Sequence, residues 1–163
     1  MRILGIDPGT IILGYGIIES DGDKISLVTY KALRCRSSSS MGERLLYLYT
    51  SLCDVIKEYL PDEIAIETPF VAKNARTALA IGKAQAIALL AAASNSIPAF
   101  EYTPTAIKHN AVSYGASSKE QVQEMVRLQL NLKTAPTPAD CSDALAAAIC
   151  HLHQSRLKNL TGG

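Results

Sequence analysis

The 163-residue sequence contains no tryptophan, two phenylalanines and four cysteines. The cysteines (Cys35, Cys53, Cys141 and Cys150) form no C-x-x-C pair, which argues against a disulfide framework and predicts reduced thiols in a cytoplasmic protein. No stretch is long and apolar enough to predict a membrane-spanning helix. Glycines and Asp7 interrupt the first apolar run, so we expect no signal peptide.

An excess of one charge sign is also missing. The chain has 16 basic and 15 acidic residues, a net charge of +1, which by itself indicates no particular partner. The distribution is uneven, because residues 1–70 contain 7 basic and 10 acidic residues whereas residues 71–163 contain 9 and 5. From Thr68 to Lys119 five basic residues stand against Glu101 alone. This asymmetry allows a polyanion to bind one side, although solvated lysines are common and the evidence is weak alone.

The length predicts one domain, residues 1–156, followed by a disordered tail at 157–163. Periodicity and turn residues predict the order β-β-β-α-β-α-β-α-α-α. Three meandering strands followed by α/β units favour a mixed five-stranded sheet with helices on both faces. Capping-box patterns at Ser40–Glu43 and Ser117–Glu120 predict two helix starts. The last helix is expected to open in the same style at Thr137-Pro138 and to run to about Gln154.

The first strand leads directly into an acid. The run Ile3–Ile6 is apolar on both faces, as in a buried central strand, and Asp7 follows it. Pro8-Gly9 then predicts a turn that returns the chain as an antiparallel partner. A carboxylate at the end of a buried strand is costly to keep ionised without a cation or a donor. Asp7 either opens the turn through backbone hydrogen bonds or serves a site, and this stretch alone favours neither.

Three further acids stand out by context. Glu67 ends the fourth strand, and Asp140 and Asp143 lie three residues apart in the first turn of the last helix, hence on one helix face. Such groups converge beyond strand ends in open sheets. Clustered carboxylates stay ionised only if a multivalent cation neutralises them, and hard oxygen ligands select Mg²⁺ or Mn²⁺. Two such ions about 4 Å apart would suit in-line displacement at a phosphodiester.

Structural roles explain each of these acids as well. Asp140 fits a capping box with Thr137, and Asp143 is favoured near a helix N-terminus by the helix dipole. Glu101 and Asp62 also lie near strand ends, so the choice among the strand-end acids is not forced. The residues alone therefore leave the metal site as one of two interpretations.

Three motifs occur in a specific order over nearly the whole chain. They are Ile3-Leu4-Gly5-Ile6-Asp7-Pro8-Gly9 with Gly14-Tyr15-Gly16; Ile66-Glu67 followed by Phe70, Ala72-Lys73-Asn74, Ala78-Leu79 and Gly82; and Asp140-Cys141-Ser142-Asp143-Ala144-Leu145-Ala146. Together they resemble the RuvC family of Holliday-junction resolvases. The resemblance implies an RNase H-like fold and a homodimeric, cytoplasmic endonuclease that nicks four-way DNA junctions symmetrically. It also implies one or two Mg²⁺ ions per subunit, for which Mn²⁺ substitutes, and a branch-migration motor as partner.

The resemblance also implies roles for individual residues. The family's catalytic, metal-binding acids map onto Asp7, Glu67, Asp140 and Asp143. Its basic residues near the scissile phosphate map onto Lys108 and Lys119, of which Lys119 is also catalytic. Its aromatic contact to bases at the junction centre maps onto Phe70, and Lys73, Asn74 and Lys83 are expected as further DNA contacts. The chain departs from the family after Gly82, where an Arg-Gly pair is usual and Lys83-Ala84-Gln85-Ala86 stands instead. That departure puts one DNA contact in doubt.

Residues 73–95 predict an Ala-rich helix that is apolar around much of its circumference. We expect this helix to pair with its copy in a second subunit, and the alternative is a core helix of a monomer. The residues expected at the interface are Ala80, Ile81, Ala84, Ala88, Leu89, Ala91 and Ala92.

Two other function classes compete. The segment Gly5–Thr10 also resembles the first phosphate motif of actin, Hsp70 and sugar-kinase ATPases. Those proteins duplicate the domain and need a second glycine-rich phosphate loop, which this sequence lacks. The other alternative is a non-catalytic junction- or RNA-binding relative, which would have lost an acid, whereas all four acids are present here.

Overall fold

The computed structural model describes residues 1–68, 74–111 and 118–161. These residues form five strands and five helices in the predicted order. The strands are β1 (Arg2–Asp7), β2 (Ile12–Asp21), β3 (Lys24–Arg34), β4 (Glu63–Glu67) and β5 (Ala99–Tyr102). The helices are α1 (Met41–Tyr59), α2 (Ala75–Ser94), α3 (Pro104–Ala111), α4 (Lys119–Gln129) and α5 (Ala139–Thr161).

The strands form one mixed sheet in the order β3-β2-β1-β4-β5. The three N-terminal strands are antiparallel, whereas β4 is parallel to both β1 and β5. Helices α3, α4 and α5 cover one face, and α1 and α2 cover the other. The predicted mixed five-stranded sheet with helices on both faces is therefore confirmed.

The central strand β1 is buried on both faces because each face has its own core. Ile3 packs in the core beneath α5, whereas Leu4 and Ile6 pack in the core beneath α1 and α2. Side chains alternate between the two faces of a strand, so a strand covered on both sides must be apolar at nearly every position. This explains the unbroken apolar run before Asp7.

Helix α5 lies with its backbone directly on β1 and β2. A Cβ atom on Gly5 would come within 1.9 Å of the Ala144 carbonyl oxygen, and one on Gly14 within 2.1 Å of the Asp140 carbonyl oxygen. A Cβ on Gly16, which pairs with Gly5 across the two strands, would meet the Leu145 side chain at 2.4 Å. Only glycine leaves room for this approach, which fixes the start of α5 beside the end of β1.

Two helix starts differ from the predicted ones. The N-cap of α4 is Ser118, and its capping box closes with Gln121, one residue later than predicted. The sequence offers two serines followed by Glu120 and Gln121, so the pattern fits both registers. Helix α5 begins at Ala139, so Pro138 and not Thr137 lies directly before the first helical residue. The Thr137–Pro138 peptide bond is cis.

Helix α5 also ends later than predicted. It continues past Gln154 to Thr161, so residues 157–161 are helical where a disordered tail was expected. The extension contains neither glycine nor proline. Arg156 anchors it to the β2–β3 turn, because its Nη2 donates a hydrogen bond to Ser20 Oγ at 2.9 Å.

The expectation that no segment resembles a membrane span is wrong on composition. Within the described residues, α2 alone is long and apolar enough to cross a membrane. Its hydropathy comes largely from alanine, and Lys83 lies near its middle, where a charge would cost about 2.5–3.5 kcal/mol in a bilayer. One such helix is weak evidence for a membrane protein.

The close approach of α5 predicts that Gly14→Ala destabilises the fold. The new methyl group would overlap the backbone of Asp140, and overpacking of this kind costs about 1–3 kcal/mol. Gly42→Ala in α1 is the matched control, because its Cβ would meet nothing within 4 Å. There the better helix propensity of alanine predicts equal or higher stability. Urea unfolding of both variants measures the difference, and equal stability would contradict the close packing.

Candidate active site

Two of the predicted acids lie side by side at one edge of the sheet. Asp7 ends β1 and Glu67 ends β4, and these adjacent parallel strands are in register at Ile6 and Ile66. Ile6 and Ile66 both pack in the core beneath α1 and α2. By alternation, the side chains of Asp7 and Glu67 point to the opposite face, towards α5.

The other two acids reach the same place from α5. Asp140 and Asp143 lie in its first turns, and the backbone of Asp140 rests against Gly14, the residue that pairs with Asp7. The negative charges of Glu67, Asp143 and Asp140 all raise the pKa of Asp7. The structure therefore brings the four predicted carboxylates into one cluster.

Burial and mutual repulsion disfavour the charged forms of this cluster. Burial, followed by the charges of the other three acids, raises the pKa of Asp7 from 3.8 to about 8. Burial and then Asp143 raise the pKa of Glu67 from 4.5 to about 7. Without a cation, both side chains therefore hold protons near neutral pH that ordinary carboxyl groups would release.

Two predicted lysines flank the acids. Lys119, the first residue of α4, places its Nζ 3.0 Å from Asp143 Oδ2, and the pKa of Lys119 is raised mainly by this hydrogen bond. Lys108 of α3 is close enough for its charge to lower the pKa of Glu67. Both lysines line a cleft of about 170 Å³ together with Glu67 and Asp143. The cleft thus joins positive groups to the acid cluster.

The structure also decides between the strand-end acids. Glu101 lies on β5 next to Tyr102, which packs beneath α5, so its side chain points to the other face and accepts a hydrogen bond from Gln85 of α2. Asp62 lies at the opposite edge of the sheet, where its Oδ2 accepts the backbone N–H of Arg2 at 2.6 Å. Neither residue belongs to the cluster.

The remaining predicted DNA contacts are separate from the cluster or undescribed. Asn74 is the N-cap of α2, and its Oδ1 accepts the backbone N–H groups of Arg76 at 2.9 Å and Thr77 at 3.4 Å. Lys83 is exposed on α2. Phe70 and Lys73 lie outside the described residues.

One cation beside the site was not predicted. Arg34, the last residue of β3, is close enough to Cys141 to lower the pKa of its thiol, although burial has the larger effect and raises that pKa to about 11. Cys141 directly follows Asp140. Arg34 lies far from the acids in the sequence, so only the strand pairing of the folded chain shows that they are neighbours.

The donor set fits a hard divalent cation. Four carboxylates supply only oxygen ligands, and neutralisation by a cation would relieve the repulsion that raises the pKa values of Asp7 and Glu67. As the side chains stand, no three acidic, histidine or cysteine groups among the described residues converge closely enough to hold an ion. Two effects favour this open arrangement. The carboxylates repel one another, and Asp143 is held in its ion pair with Lys119.

Comparison with known proteins identifies the family of this chain. A family model described as crossover junction endodeoxyribonuclease RuvC matches residues 3–151. The chain belongs to the RuvC family. RuvC from Dehalococcoides mccartyi strain BAV1 is 54% identical over 160 residues, 98% of this chain and 96% of that protein. RuvC from Desulforamulus reducens is 51% identical over 155 residues, 95% of both chains.

Solved structures agree with this assignment. The structure of Thermus thermophilus RuvC in complex with Holliday junction substrate aligns with a TM-score of 0.91 and 30% identity, covering 96% of each chain. A second Thermus thermophilus RuvC structure gives a TM-score of 0.88 and 31% identity over the same shares. The predicted RNase H-like fold is confirmed, and RuvC-family nucleases are metal-dependent.

The raised pKa values predict that the metal-free protein loses stability as pH rises. Protonated Asp7 and Glu67 stabilise the fold fully below their ordinary pKa values, and this contribution is lost as pH rises through about 7 and 8. Asp7→Asn should therefore raise stability at pH 8, by at least about 1.4 kcal/mol, the equivalent of one pKa unit. Thermal unfolding in EDTA between pH 4 and 9 measures this.

Asp54→Asn is the control for this experiment, because Asp54 is exposed on α1 and lies outside the cluster. It should leave the pH profile unchanged. A lower melting temperature for Asp7→Asn at pH 8 would show that Asp7 has a structural capping role instead.

Proposed function

We propose that this protein resolves four-way DNA junctions by hydrolysing one phosphodiester bond in each of two opposed strands. The observation that carries the proposal is the four-carboxylate cluster flanked by Lys108 and Lys119 at one sheet edge. The relatives named above are crossover junction endodeoxyribonucleases, and a similar solved structure holds a Holliday junction substrate. All four acids of the family pattern are present, which disfavours a non-catalytic relative.

Asp7, Glu67, Asp140 and Asp143 would hold the metal. We propose one or two Mg²⁺ ions per subunit, with Mn²⁺ as a substitute, because all the ligands are hard oxygens. Bound there, the metal neutralises charge at the phosphate oxygens. The chain's own contribution is to bring four carboxylates near one another at one end of the sheet, and Asp7 and Glu67 would release their protons when positive charge arrives.

Lys119 supplies the fixed positive charge of the site. Its ion pair with Asp143 orients the ammonium group at the mouth of the cleft, where further N–H donors remain for a phosphate oxygen. A positive group held beside a phosphoryl centre stabilises charge that develops in the transition state. Lys108, on the same cleft, acts in the same sense. Asn74, Lys83 and, outside the described residues, Phe70 and Lys73 are proposed as further DNA contacts.

Two coordinated cuts need two active sites, and a two-fold dimer matches the symmetry of the junction. Helix α2 is the proposed interface, but four of the seven residues predicted there are buried within the subunit (Ala84, Ala88, Ala91 and Ala92), whereas Ala80, Ile81 and Leu89 are partly exposed. Ala84 and Ala88 are both 0% exposed and pack in the core of the subunit. The outward face instead carries Leu79 and Leu90, which are 67% and 53% exposed. Because α2 is apolar on every side, its periodicity did not indicate which face points outwards.

Helix α2 starts shortly after Glu67 in the chain. A dimer formed through its outward face would therefore fix the two active sites relative to each other without a change in the fold. The cytoplasm is the proposed location, as expected for an enzyme that acts on bacterial DNA. A branch-migration motor is the partner implied by the family. If that motor did not stimulate junction cleavage in a reconstituted reaction, this partner would be disfavoured.

The cleavage test compares a synthetic four-way junction with duplex DNA, in Mg²⁺ and in EDTA. We expect Asp7→Asn, Glu67→Gln, Asp140→Asn and Asp143→Asn each to lower the cleavage rate by at least about 100-fold, the scale of lost charge stabilisation at a reacting centre. Junction binding should persist because it depends on phosphate contacts. Only the junction, and only with Mg²⁺, should be cut.

Two further variants sharpen the test. Lys119→Ala should slow cleavage more than it weakens binding, whereas Glu101→Gln, on the opposite face of β5, should cut at the normal rate. Near-normal cleavage by any one of the four acid variants would remove that residue from the site. Equal cleavage of duplex DNA would overturn the proposed function.

The interface is tested with charges on α2. Leu79→Glu with Leu90→Glu should give folded monomers at micromolar concentration that nick one strand per binding event, because the charges lie on the outward face. Ala84→Asp should unfold the subunit, because Ala84 is fully buried and the substitution would place a charge in the core. Leu128→Glu is the control, since Leu128 is 60% exposed on α4. Sedimentation of the double variant as an intact dimer would contradict this interface.

A further inference from the structure

We propose that a second cavity, at the same sheet edge but on the other side of Asp7, binds the phosphodiester backbone of the junction within a few nucleotides of the cut. The cavity has a volume of about 370 Å³ and is lined by Arg34, Arg36 and Arg44, with Glu43 and Tyr47. We call it the arginine cavity. This inference rests on the proposed function, and it assigns DNA contacts that the sequence motifs do not include.

The strand pairing places the arginine cavity next to the active site. Arg34 ends β3 opposite Ile12, the first residue of β2. The backbone N–H of Cys35 donates to the Ile11 carbonyl at 2.8 Å, which ties this segment to the turn that follows Asp7. The cavity therefore opens at the edge where Asp7 and Glu67 end their strands.

The spacing suits a DNA strand. Strand β3 is two positions from β1 in the sheet, a distance of about 10 Å. A DNA strand carries one phosphate per about 3.4 Å of helix axis, so phosphates close to the scissile one along the strand lie on this length scale. A strand with its scissile phosphate at the acids would thus bring a neighbouring phosphate to the arginines.

The arginine cavity carries uncompensated positive charge. In the described part of the chain, no carboxylate lies within ion-pair distance of Arg34, Arg36 or Arg44. Glu43 faces the cavity, but its Oε2 accepts the Ser40 backbone N–H at 2.7 Å as part of the α1 capping box. Three guanidinium groups therefore face one carboxylate that already has a structural role.

Two other arginines of the chain are paired with carboxylates. Arg2 pairs with Glu19 at 2.9 Å, and Arg127 pairs with Glu124 at 2.7 Å. In the arginine cavity no such pair forms, and Arg44 Nε is shielded from solvent without a hydrogen-bond partner among the described residues, as is Arg2 Nε. A buried donor without a partner is costly. The planar fork of arginine matches phosphate oxygens in pairs.

The accessibility of the arginines favours a polymer over a small enclosed anion. Arg34 and Arg36 are exposed, and the half-exposed ring of Tyr47 lies at the rim. A backbone can pass over such a surface, and an aromatic ring offers a sugar or base a face to pack on. The N-terminus of α1 does not take part in this contact, because the backbone N–H of Glu43 already donates to Ser40 Oγ in the capping box.

The first test removes two charges with Arg34→Gln and Arg36→Gln. Both side chains are exposed, so the fold should be retained, which the melting temperature checks. Binding of a four-way junction is measured in EDTA by fluorescence anisotropy over a series of salt concentrations. The slope of log K against log salt should fall by about 1.8, because each lost phosphate contact removes about 0.9. The matched control, Lys24→Gln with Lys57→Gln, removes two charges at the opposite edge and should leave the slope unchanged.

The second test locates the contact on the DNA. A neutral methylphosphonate placed two to four nucleotides from the cut, on either side, should weaken junction binding by the wild-type protein but not by the Arg34→Gln, Arg36→Gln variant. An unchanged salt slope, or equal weakening of both proteins at every position, would overturn the proposal.

Free phosphate is the competing ligand. If inorganic phosphate raises the melting temperature of the wild-type protein only, while junction binding is the same in both proteins, the cavity is a phosphate site and the DNA contact is refuted. Failure here leaves wild-type junction cleavage intact, whereas failure of the proposed function would show as absent cleavage by the wild-type protein itself.

Discussion

The direct contact between the α5 backbone and the glycines of β1 and β2 determines the geometry of the site. A helix that packs through large side chains lies farther from a sheet, and its first turn then lies farther from the strand ends. Here Gly5 and Gly14 have no side chains, so carbonyl groups of α5 touch the strands. That contact brings Asp140 and Asp143 to the end of β1, where alternation has already directed Asp7 and Glu67. The four carboxylates meet because two strands lack side chains at defined positions.

This arrangement conflicts with stability, and the conflict is informative. A fold selected only for stability would not bury Asp7 beside three other acids, because each negative charge makes the others harder to ionise. Lys119 forms an ion pair with Asp143 on the exposed side of the cluster. The site is thus poised for positive charge, and its protonation depends on whether that charge is present. Burial of the acids therefore has a functional explanation where a structural one fails.

Much of the site was predictable because its signals are local. Asp7 and Glu67 each end an apolar strand, and Asp140 and Asp143 share a helix turn, so strand-end geometry allows their convergence. The choice of Glu67 over Glu101 and Asp62 came from the family resemblance. The face of α2 was not predictable, because its many alanines and leucines surround most of the helix and its few polar residues mark the exterior only weakly. The predicted start of α4 was one residue too early, because Ser117 with Glu120 and Ser118 with Gln121 both fit a capping box. Arg34 was missed because its proximity to the acids arises only from the pairing of β3 with β2.

The start of α2 and the active site are physically connected. The first two turns of α2, from Arg76 to Ile81, form a groove with the turn Gly9–Ile12, which directly follows Asp7. The same turn is bonded to Cys35, next to the arginine cavity. The turn after Asp7 therefore touches the strand end proposed to bind metal, the start of the proposed interface helix and the segment beside the proposed phosphate site. Because a packed turn transmits displacement to its neighbours, subunit pairing through α2 and backbone binding at the arginines would both act on the position of Asp7. The Pro8-Gly9 turn after β1 would thus connect DNA binding and subunit assembly to the chemistry of the cut.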